Sequence, residues 1–573
     1  MLKKVLIATL FVSLISLSVQ RCGFDIEKHK SLEIGKVNLW EESGRFLQAT
    51  TWTPIRIYLD YSTLNSQTNV VTQSVIDNIK TVMNSVSTTL SSLINVKASS
   101  SNLAFPSCSN TFTLKISNAV KSGVAADLVI FPYVDTSFTA GVEAAASYCL
   151  QDSVTNRPVA GYVGFSPQIS FAKKNSVYYN SLLVLHEINH VMSFHSELFQ
   201  NFVDANNNPI PFSKVVINKT VNGVARQMLA TPKVVAAAQK YFGCSTMAGV
   251  ELENQGGEGT AGSHWEERIM AGDYMIGQSY AENVISPMTL ALMEDSGWYT
   301  VNYYDGGLFR FGKNQGCDFV NTKCVVNGQT KFPNEYNVVA DAPACYAGRT
   351  AKGVSSLQSG ISVDTAYQYF TDKTKGGQTN ADFCPIASES SVDGYYFGTT
   401  CIYGTSTFPA SMGEVIGSNS NCFISTLTPQ NDNSVAGYKG NNQAICYPIT
   451  CNAATTTYTV TVGSQSVQCP SQGGSVTVSG FNGSLNCPSY NLLCTRSVPC
   501  GDTLDCVAKK SLELGAAVLP STTPVTPSTT PTDSGSTTPS SGATSNSLPS
   551  SSSSSSAVAI ATSFATLTLA LLL

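Results

Sequence analysis

The chain has 573 residues, too many for one compact hydrophobic core, so several regions are expected. Only 12% of residues are Asp, Glu, Lys or Arg and the formal net charge is -5, which excludes the broad basic surface that a nucleic-acid partner requires. Seventeen cysteines, together with a polarity carried largely by Ser, Thr, Asn and Gly, point to a secreted, disulfide-bonded protein.

Residues 1–20 read as a signal peptide, with Lys3 and Lys4 before the apolar run Val5 to Leu17 and small residues near Ser18. Residues 21–50 hold Cys22 and the charged stretch Asp25 to Lys30, and read as a propeptide. Cys22 stands far from the other sixteen cysteines, which run from Cys108 to Cys506, so it is expected to have a separate role. Thr53 to Asp60 alternates apolar and polar residues and predicts a strand, and Val75 to Ile94 spaces apolar residues at helical intervals. Leu128 to Tyr133 and Ala160 to Phe165 predict strands, the latter either an inner strand or a sheet edge able to pair with an extended peptide. Tyr178 to Phe194 is the clearest helix, because Leu182, Leu185 and Ile188 recur at three- and four-residue steps.

Phe199 to Gly262 is polar apart from an amphipathic stretch near Pro232 to Tyr241, and Pro287 to Trp298 predicts a second firm helix. From Cys317 to Cys506 many Gly, Asn and Thr residues accompany the cysteines. This part is expected to be loops and short strands stapled by disulfides, with too little apolar content for a large core. Pro520 to Pro549 is almost entirely Ser, Thr, Pro and Gly, and reads as an extended, O-glycosylated stalk. Small residues near Ser545, a serine run and the apolar stretch Ala557 to Leu573 follow the order of a glycolipid (GPI) attachment signal, the alternative being a short tail-anchoring helix. Asn218 and Asn482 lie in Asn-x-Ser/Thr sequons and are candidate N-glycan sites.

The segment Leu185-His186-Glu187-Ile188-Asn189-His190 carries the most specific signal. His186 and His190 are one helical turn apart, so both imidazoles project from one face and can share a metal. Imidazole suits zinc, and Glu187, next to the first ligand, is placed to serve as general base toward a water held at the metal. Two histidines are candidates for the third ligand. The compact pattern H-E-x-x-H-x-x-G-x-x-H would put Gly at 193 and His at 196. This chain has Ser193, Ser196 and a histidine one place early, His195, while His264 stands further on in Gly262-Ser263-His264-Trp265-Glu266.

At those five residues the chain resembles the leishmanolysin family of surface metallopeptidases. In that family a long insertion separates the H-E-x-x-H helix from a third histidine in a Gly-Ser-His-Trp-Glu motif, and residues 262–266 match it fully. The resemblance extends to Met275, eleven residues on, as the Met-turn methionine (Met270 being a nearby competitor). It extends also to Pro54-Ile55-Arg56-Ile57, to Gly316-Cys317-Asp318-Phe319, and to Arg21-Cys22 followed by Asp25 as a propeptide motif. Ser193 departs from the family's glycine.

The resemblance implies an α+β fold. A metzincin-type catalytic domain would carry a twisted sheet and zinc helix in residues 51–198, and residues 199–310 would bring the third ligand and Met-turn. A disulfide-rich domain would follow in 311–515, then a stalk in 516–556 and the tail in 557–573. It implies one zinc held by His186, His190 and His264 with Glu187 as catalytic base, Met275 as an apolar floor, and Cys22 as a latch on the metal. The expected activity is hydrolysis of internal peptide bonds by a monomer on the cell surface, with no nucleic-acid partner; surface adhesion is the rival function class, and a third alternative is that adhesion and proteolysis coexist.

Overall fold

The computed structural model describes residues 21–22, 34–39 and most of 51–494, short stretches excepted, of which 389–399 is the longest. The expected signal peptide, most of the expected propeptide, the stalk and the C-terminal tail lie outside the described residues.

The first sheet joins β1 (Arg21–Cys22), β2 (Gly35–Val37), β3 (Ile57–Leu59), β4 (Leu128–Val134), β5 (Val142–Asp152) and β6 (Pro158–Phe165). Strands β3, β4 and β6 run parallel, and β5 runs antiparallel to β6. Both β1 and β2 pair in parallel with the other side of β5. The stretch Ala160 to Phe165 is therefore an inner strand between β4 and β5, and the outer side of β5 is covered by β1 and β2. Strand β4 is apolar on both faces. Leu128, Ile130 and Val134 join one core cluster and Val129, Phe131 and Tyr133 join another, as period-two side chains of a doubly covered strand should.

Helix α1 (Gln73–Leu93) starts at Thr72, whose side chain accepts a hydrogen bond from the Val75 amide, and buries Ile76, Ile79, Met83, Val86 and Leu90 along one stripe. Helix α2 (Val177–Met192) packs against α1, β5 and β6. Its Val184, Leu185, Ile188, Val191 and Met192 are buried, so the helix is held in the interior rather than on a surface. Gly161 on β6 permits this approach, because a Cβ there would lie 2.4 Å from Val191 Cγ1 and 2.6 Å from the Ser147 carbonyl oxygen.

The predicted strand Thr53 to Asp60 is divided. Trp52–Pro54 pairs with Ile94–Lys97 in a small second sheet, and the chain then crosses into β3. The crossing is pinned at Arg56, whose backbone amide and guanidinium both donate to the buried Asp127 carboxylate at 2.8–2.9 Å.

Beyond α2, β7 (Val216–Val221) and β8 (Val224–Leu229) form a hairpin whose Asn222-Gly223 turn has φ of 52° and 84°, and β9 (Val250–Glu251) pairs with β8. Helices α3 (Pro232–Phe242) and α4 (Pro287–Asp295) pack on each other. Helix α4 ends before the predicted Trp298, since Gly297 turns the chain at φ 81°.

The cysteine-rich part has more core than its composition suggested. Phe319, Phe332, Tyr336, Tyr346 and Phe383 belong to the same buried cluster as α1 and α2. A second sheet comprises β10 (Ser420–Ser425), β11 (Gln443–Asn452), β12 (Thr457–Val462), β13 (Gln465–Cys469), β14 (Gly474–Val476) and β15 (Leu485–Cys487). It surrounds its own cluster of Phe423, Ile445, Tyr447, Tyr458 and Val460. The apolar area is concentrated in a few aromatics, each of which buries far more surface than an aliphatic residue. Disulfides join Cys108 to Cys149, Cys244 to Cys317, Cys324 to Cys384, Cys345 to Cys422, Cys401 to Cys446, Cys451 to Cys494 and Cys469 to Cys487. Asn218 and Asn482 are exposed. Among the described residues no helix is long and apolar enough to cross a membrane.

Candidate metal centre

Three histidines from two places in the chain converge. His186 and His190 project from α2, and His264 reaches them from the loop that follows β9. Their Nε2 atoms are separated by 2.9 Å (His186 to His190) and 3.2 Å (His264 to each of the others). Each Nδ1 faces a backbone carbonyl: Tyr274 at 2.5 Å, Phe194 at 2.6 Å and Thr260 at 2.8 Å, respectively for His186, His190 and His264. These bonds place the proton on Nδ1 and leave the Nε2 lone pairs facing one another, the tautomer a metal needs. Burial holds the rings neutral, pushing His186 down to about 4 and His264 down to about 3 and placing His190 well below its ordinary value. Among the described residues this is the group of histidine, cysteine and acidic side chains close enough together to hold a metal ion.

Glu187 is fully buried and follows His186 on α2. The helix ends at Met192, and the turn is made without a left-handed residue at 193, so serine fits where a glycine break was expected. Ser193 Oγ donates to Asn189 Oδ1 at 2.9 Å, and Asn189 Nδ2 donates to the Tyr274 hydroxyl at 2.9 Å. His195 is also buried but lies outside the triad. Its Nδ1 accepts from the Glu197 amide at 3.1 Å and its ring meets Tyr148 edge-on at 5.3 Å.

Met275 and Met270 are both fully buried. Met275 follows Tyr274, whose carbonyl receives His186, and its own carbonyl accepts the Trp265 amide at 3.0 Å. The turn is tied down by Asp273. Its carboxylate accepts from the Met275 amide (2.6 Å), the Ser286 amide (3.1 Å) and Thr289 Oγ1 (2.8 Å), while Trp265 Nε1 donates to the same Thr289 oxygen (2.8 Å). Burial pushes the Asp273 carboxyl up to about 6, against the pull of these donors. Asp273, Tyr274 and Thr260 were not singled out from the sequence. Tyr274 and Thr260 act through backbone carbonyls, which any residue supplies, whereas an Asp two residues before a turn methionine is a readable acceptor signal. The backbone of Cys22 lies in β1, and its side chain lies outside the described structure.

Comparison with known proteins agrees with this arrangement. The peptidase M8 family model, described as leishmanolysin, matches residues 94–500. A leishmanolysin-like peptidase of Drosophila pseudoobscura pseudoobscura is 36% identical over 210 residues, covering 32% of this chain and 31% of the relative. The leishmanolysin homolog of Crithidia fasciculata is 29% identical over 374 residues (62% of this chain, 54% of the relative). Leishmanolysin of Leishmania major is 28% identical over 378 residues (62% and 58%). The matched part thus spans from about a third to somewhat over half of these relatives' own lengths. With the family model covering well over half of the sequence and the histidine triad assembled within it, the chain belongs to the leishmanolysin family of peptidases.

Proposed function

We propose that the protein is a zinc-dependent endopeptidase of the metzincin type, hydrolysing internal peptide bonds of proteins. The observation that carries this reading is the convergence of three buried Nε2 atoms beside Glu187. Their separations of 2.9 and 3.2 Å are close to the ~3.3 Å expected between nitrogens each ~2.0–2.1 Å from one tetrahedral ion. Three neutral imidazoles, with no thiolate among them, suit zinc and leave a fourth position open. Bound zinc supplies Lewis acidity at the scissile carbonyl and lowers the pKa of water beside it.

The chain's own residues do the rest. Glu187 takes a proton from the attacking water as its oxygen bonds to the carbonyl carbon. The same carboxyl returns that proton to the amine nitrogen as the C–N bond breaks, so no net proton is lost. The three backbone carbonyls keep the imidazoles in one tautomer and orientation. Once the segment that carries β1 and β2 is removed, an extended substrate would be recognised by strand addition along β5, which satisfies its backbone without demanding a particular sequence. Met275, in the turn pinned by Asp273, serves as the apolar floor. Glu187→Ala is expected to keep one zinc while losing about 10²–10⁴-fold in peptide hydrolysis. Metal analysis and a casein assay on the purified protein check this. Activity within about tenfold of wild type, a barrier change of only ~1.4 kcal/mol, would overturn the assignment of the base.

The same reading places the protein on the secretory path, with residues 1–20 removed, N-glycans at the exposed Asn218 and Asn482, and a stalk ending in a GPI anchor. Seven disulfides support an oxidising compartment. Phosphatidylinositol-specific phospholipase is expected to release the full-length protein from cells. Lipase-resistant protein in which mass spectrometry still finds the 557–573 peptide would indicate a true anchoring helix instead.

A further inference from the structure

Behind His264 lies a buried ionic network that the catalytic chemistry does not use. Two arginines and three carboxylates form it, all at most 4% exposed: Arg226 on β8, Glu251 on β9, Glu266 and Arg268 just after the histidine, and Asp382 from the cysteine-rich part. Arg226 Nη1 donates to Glu266 Oε2 at 2.9 Å and to Asp382 Oδ1 at 3.2 Å, and its Nη2 bonds Asp382 Oδ2. Arg268 reaches Glu251 Oε1 at 2.6 Å and Asp382 Oδ2 at 3.3 Å. Glu251 and Asp382 each touch both arginines, Glu251 lying 3.6 Å from Arg226 Nε, and of the two Asp382 does so from the cysteine-rich part of the chain.

The network connects to the histidine through short backbone links. The Glu253 amide donates to the His264 carbonyl at 2.9 Å and the Glu266 amide donates to the Glu251 carbonyl at 3.0 Å. Glu266 Oε1 caps the Arg268 amide at 3.0 Å, fixing the turn that leaves the histidine. The backbone around Asp382 is itself unusual. Asp382 and Phe383 have successive φ values of 54° and 60°, a region that a bulky residue rarely occupies unless its surroundings enforce it. The Cys324–Cys384 disulfide holds this turn two residues away.

We propose that Asp382 is a positioning residue for His264, so that the cysteine-rich part sets the geometry of the third metal ligand. The two oxygens of Asp382 each face arginine N–H donors, and this fork holds Arg226 and Arg268 in the orientation that fixes Glu266. The proposal rests on the reading of the triad as a zinc site. Replacing one oxygen by an amide sets a donor against a donor in a dry interior, so even the isosteric change Asp382→Asn should disturb the fork.

The experiment measures zinc affinity by chelator competition, the zinc requirement for activity, and the thermal midpoint of the metal-free protein. It uses wild type, Asp382→Asn, Arg226→Lys and Glu414→Gln. Glu414 forms a buried pair with Lys352 (2.7 Å) in the cysteine-rich part and serves as the control. Asp382→Asn is expected to weaken zinc binding about tenfold or more. Saturating zinc should bring its activity back to within about threefold of wild type. Arg226→Lys, which keeps the charge but loses the fork, should shift zinc affinity in the same direction. Glu414→Gln should leave zinc affinity unchanged. Wild-type zinc affinity in Asp382→Asn, with only a lowered thermal midpoint, would overturn the proposal. If Asp382→Asn is not secreted, unchanged affinity in Arg226→Lys overturns it equally. Failure of both to be secreted while Glu414→Gln is secreted also counts against it, because the network would then serve folding rather than the metal. A wild-type protein that binds no zinc would remove the metal-site reading itself, a separate outcome from equal binding in all four proteins.

Discussion

His264 and His195 are both buried histidines that follow helix α2, and their surroundings differ. His264 has its Nε2 3.2 Å from those of the other two histidines and its Nδ1 on the Thr260 carbonyl, whereas His195 spends its Nδ1 on the Glu197 amide and its ring on Tyr148. His264→Ala is therefore expected to lose zinc and activity. His195→Ala should keep one zinc per chain and most activity while losing about 1–2 kcal/mol of stability, the worth of a buried hydrogen bond and an aromatic contact. Zinc analysis and thermal denaturation of the two variants check this, and the reverse pattern of zinc loss would exchange the two assignments. At this scale the sequence is informative where a side chain carries the proposed chemistry. His186, Glu187 and His190 are legible because a four-residue spacing on a helix admits few alternatives. The choice of His264 over His195 rested on resemblance to a motif, since 74 residues separate His190 from His264 and no local pattern links them. The carbonyls of Phe194, Thr260 and Tyr274 were not legible at all, because a backbone acceptor leaves no mark in residue type.

At the scale of elements, periodicity located α1, α2, β4 and β6 to within a few residues, because each buries a continuous stripe or face. It missed β5, whose Val142-Glu143-Ala144-Ala145-Ala146-Ser147 start is neither alternating nor rich in β-branched residues. That strand exists because β6 pairs along its length, a tertiary cause invisible to a local window. The division of Thr53 to Asp60 between two sheets is equally non-local, since the Asp127 carboxylate that pins Arg56 lies 71 residues away. The contact that seats α2 also depends on a single absent side chain. Gly161→Ala would put a methyl group 2.4 Å from Val191 Cγ1 and 2.6 Å from a β5 carbonyl oxygen that has nowhere to move. The helix would have to lift from the sheet, so the substitution is expected to cost about 1–3 kcal/mol as overpacking and to loosen zinc as His186 and His190 move with α2. The thermal midpoint and zinc affinity of the variant test this together. An unchanged midpoint would show that the sheet, not the helix, yields at this point.

At the scale of the whole molecule the N-terminal segment stands apart from the rest, because it is remote in sequence from the sheet it completes. Strand β1 (Arg21–Cys22) pairs with β5 at Val142 and Ala144, and β2 (Gly35–Val37) pairs with the same strand at Leu150 to Asp152. Lys36 Nζ donates to Gln151 Oε1 at 2.7 Å, and Leu39 is 1% exposed in the core cluster on the second face of the sheet. A segment anchored this way covers the edge that an extended substrate would need, before any sulfur is considered. A thiolate is a strong zinc ligand and would take the position that the attacking water requires. Among the described residues seven disulfides join fourteen of the seventeen cysteines, and the side chain of Cys22 and all of Cys500 and Cys506 lie outside the described residues. If sulfur on zinc is what holds the precursor inactive, Cys22→Ser should give a precursor that hydrolyses peptide without processing, since a neutral hydroxyl is a far poorer ligand. A mercurial that modifies thiols should activate the wild-type precursor and leave the variant unchanged. Both precursors would be secreted with residues 21–50 uncut and compared on one peptide substrate. Equal latency of the two would remove the latch and leave the strand pairing along β5 as the source of inhibition. In that case Leu39→Asp, which places a charge in the core under β2, should release activity where Cys22→Ser does not.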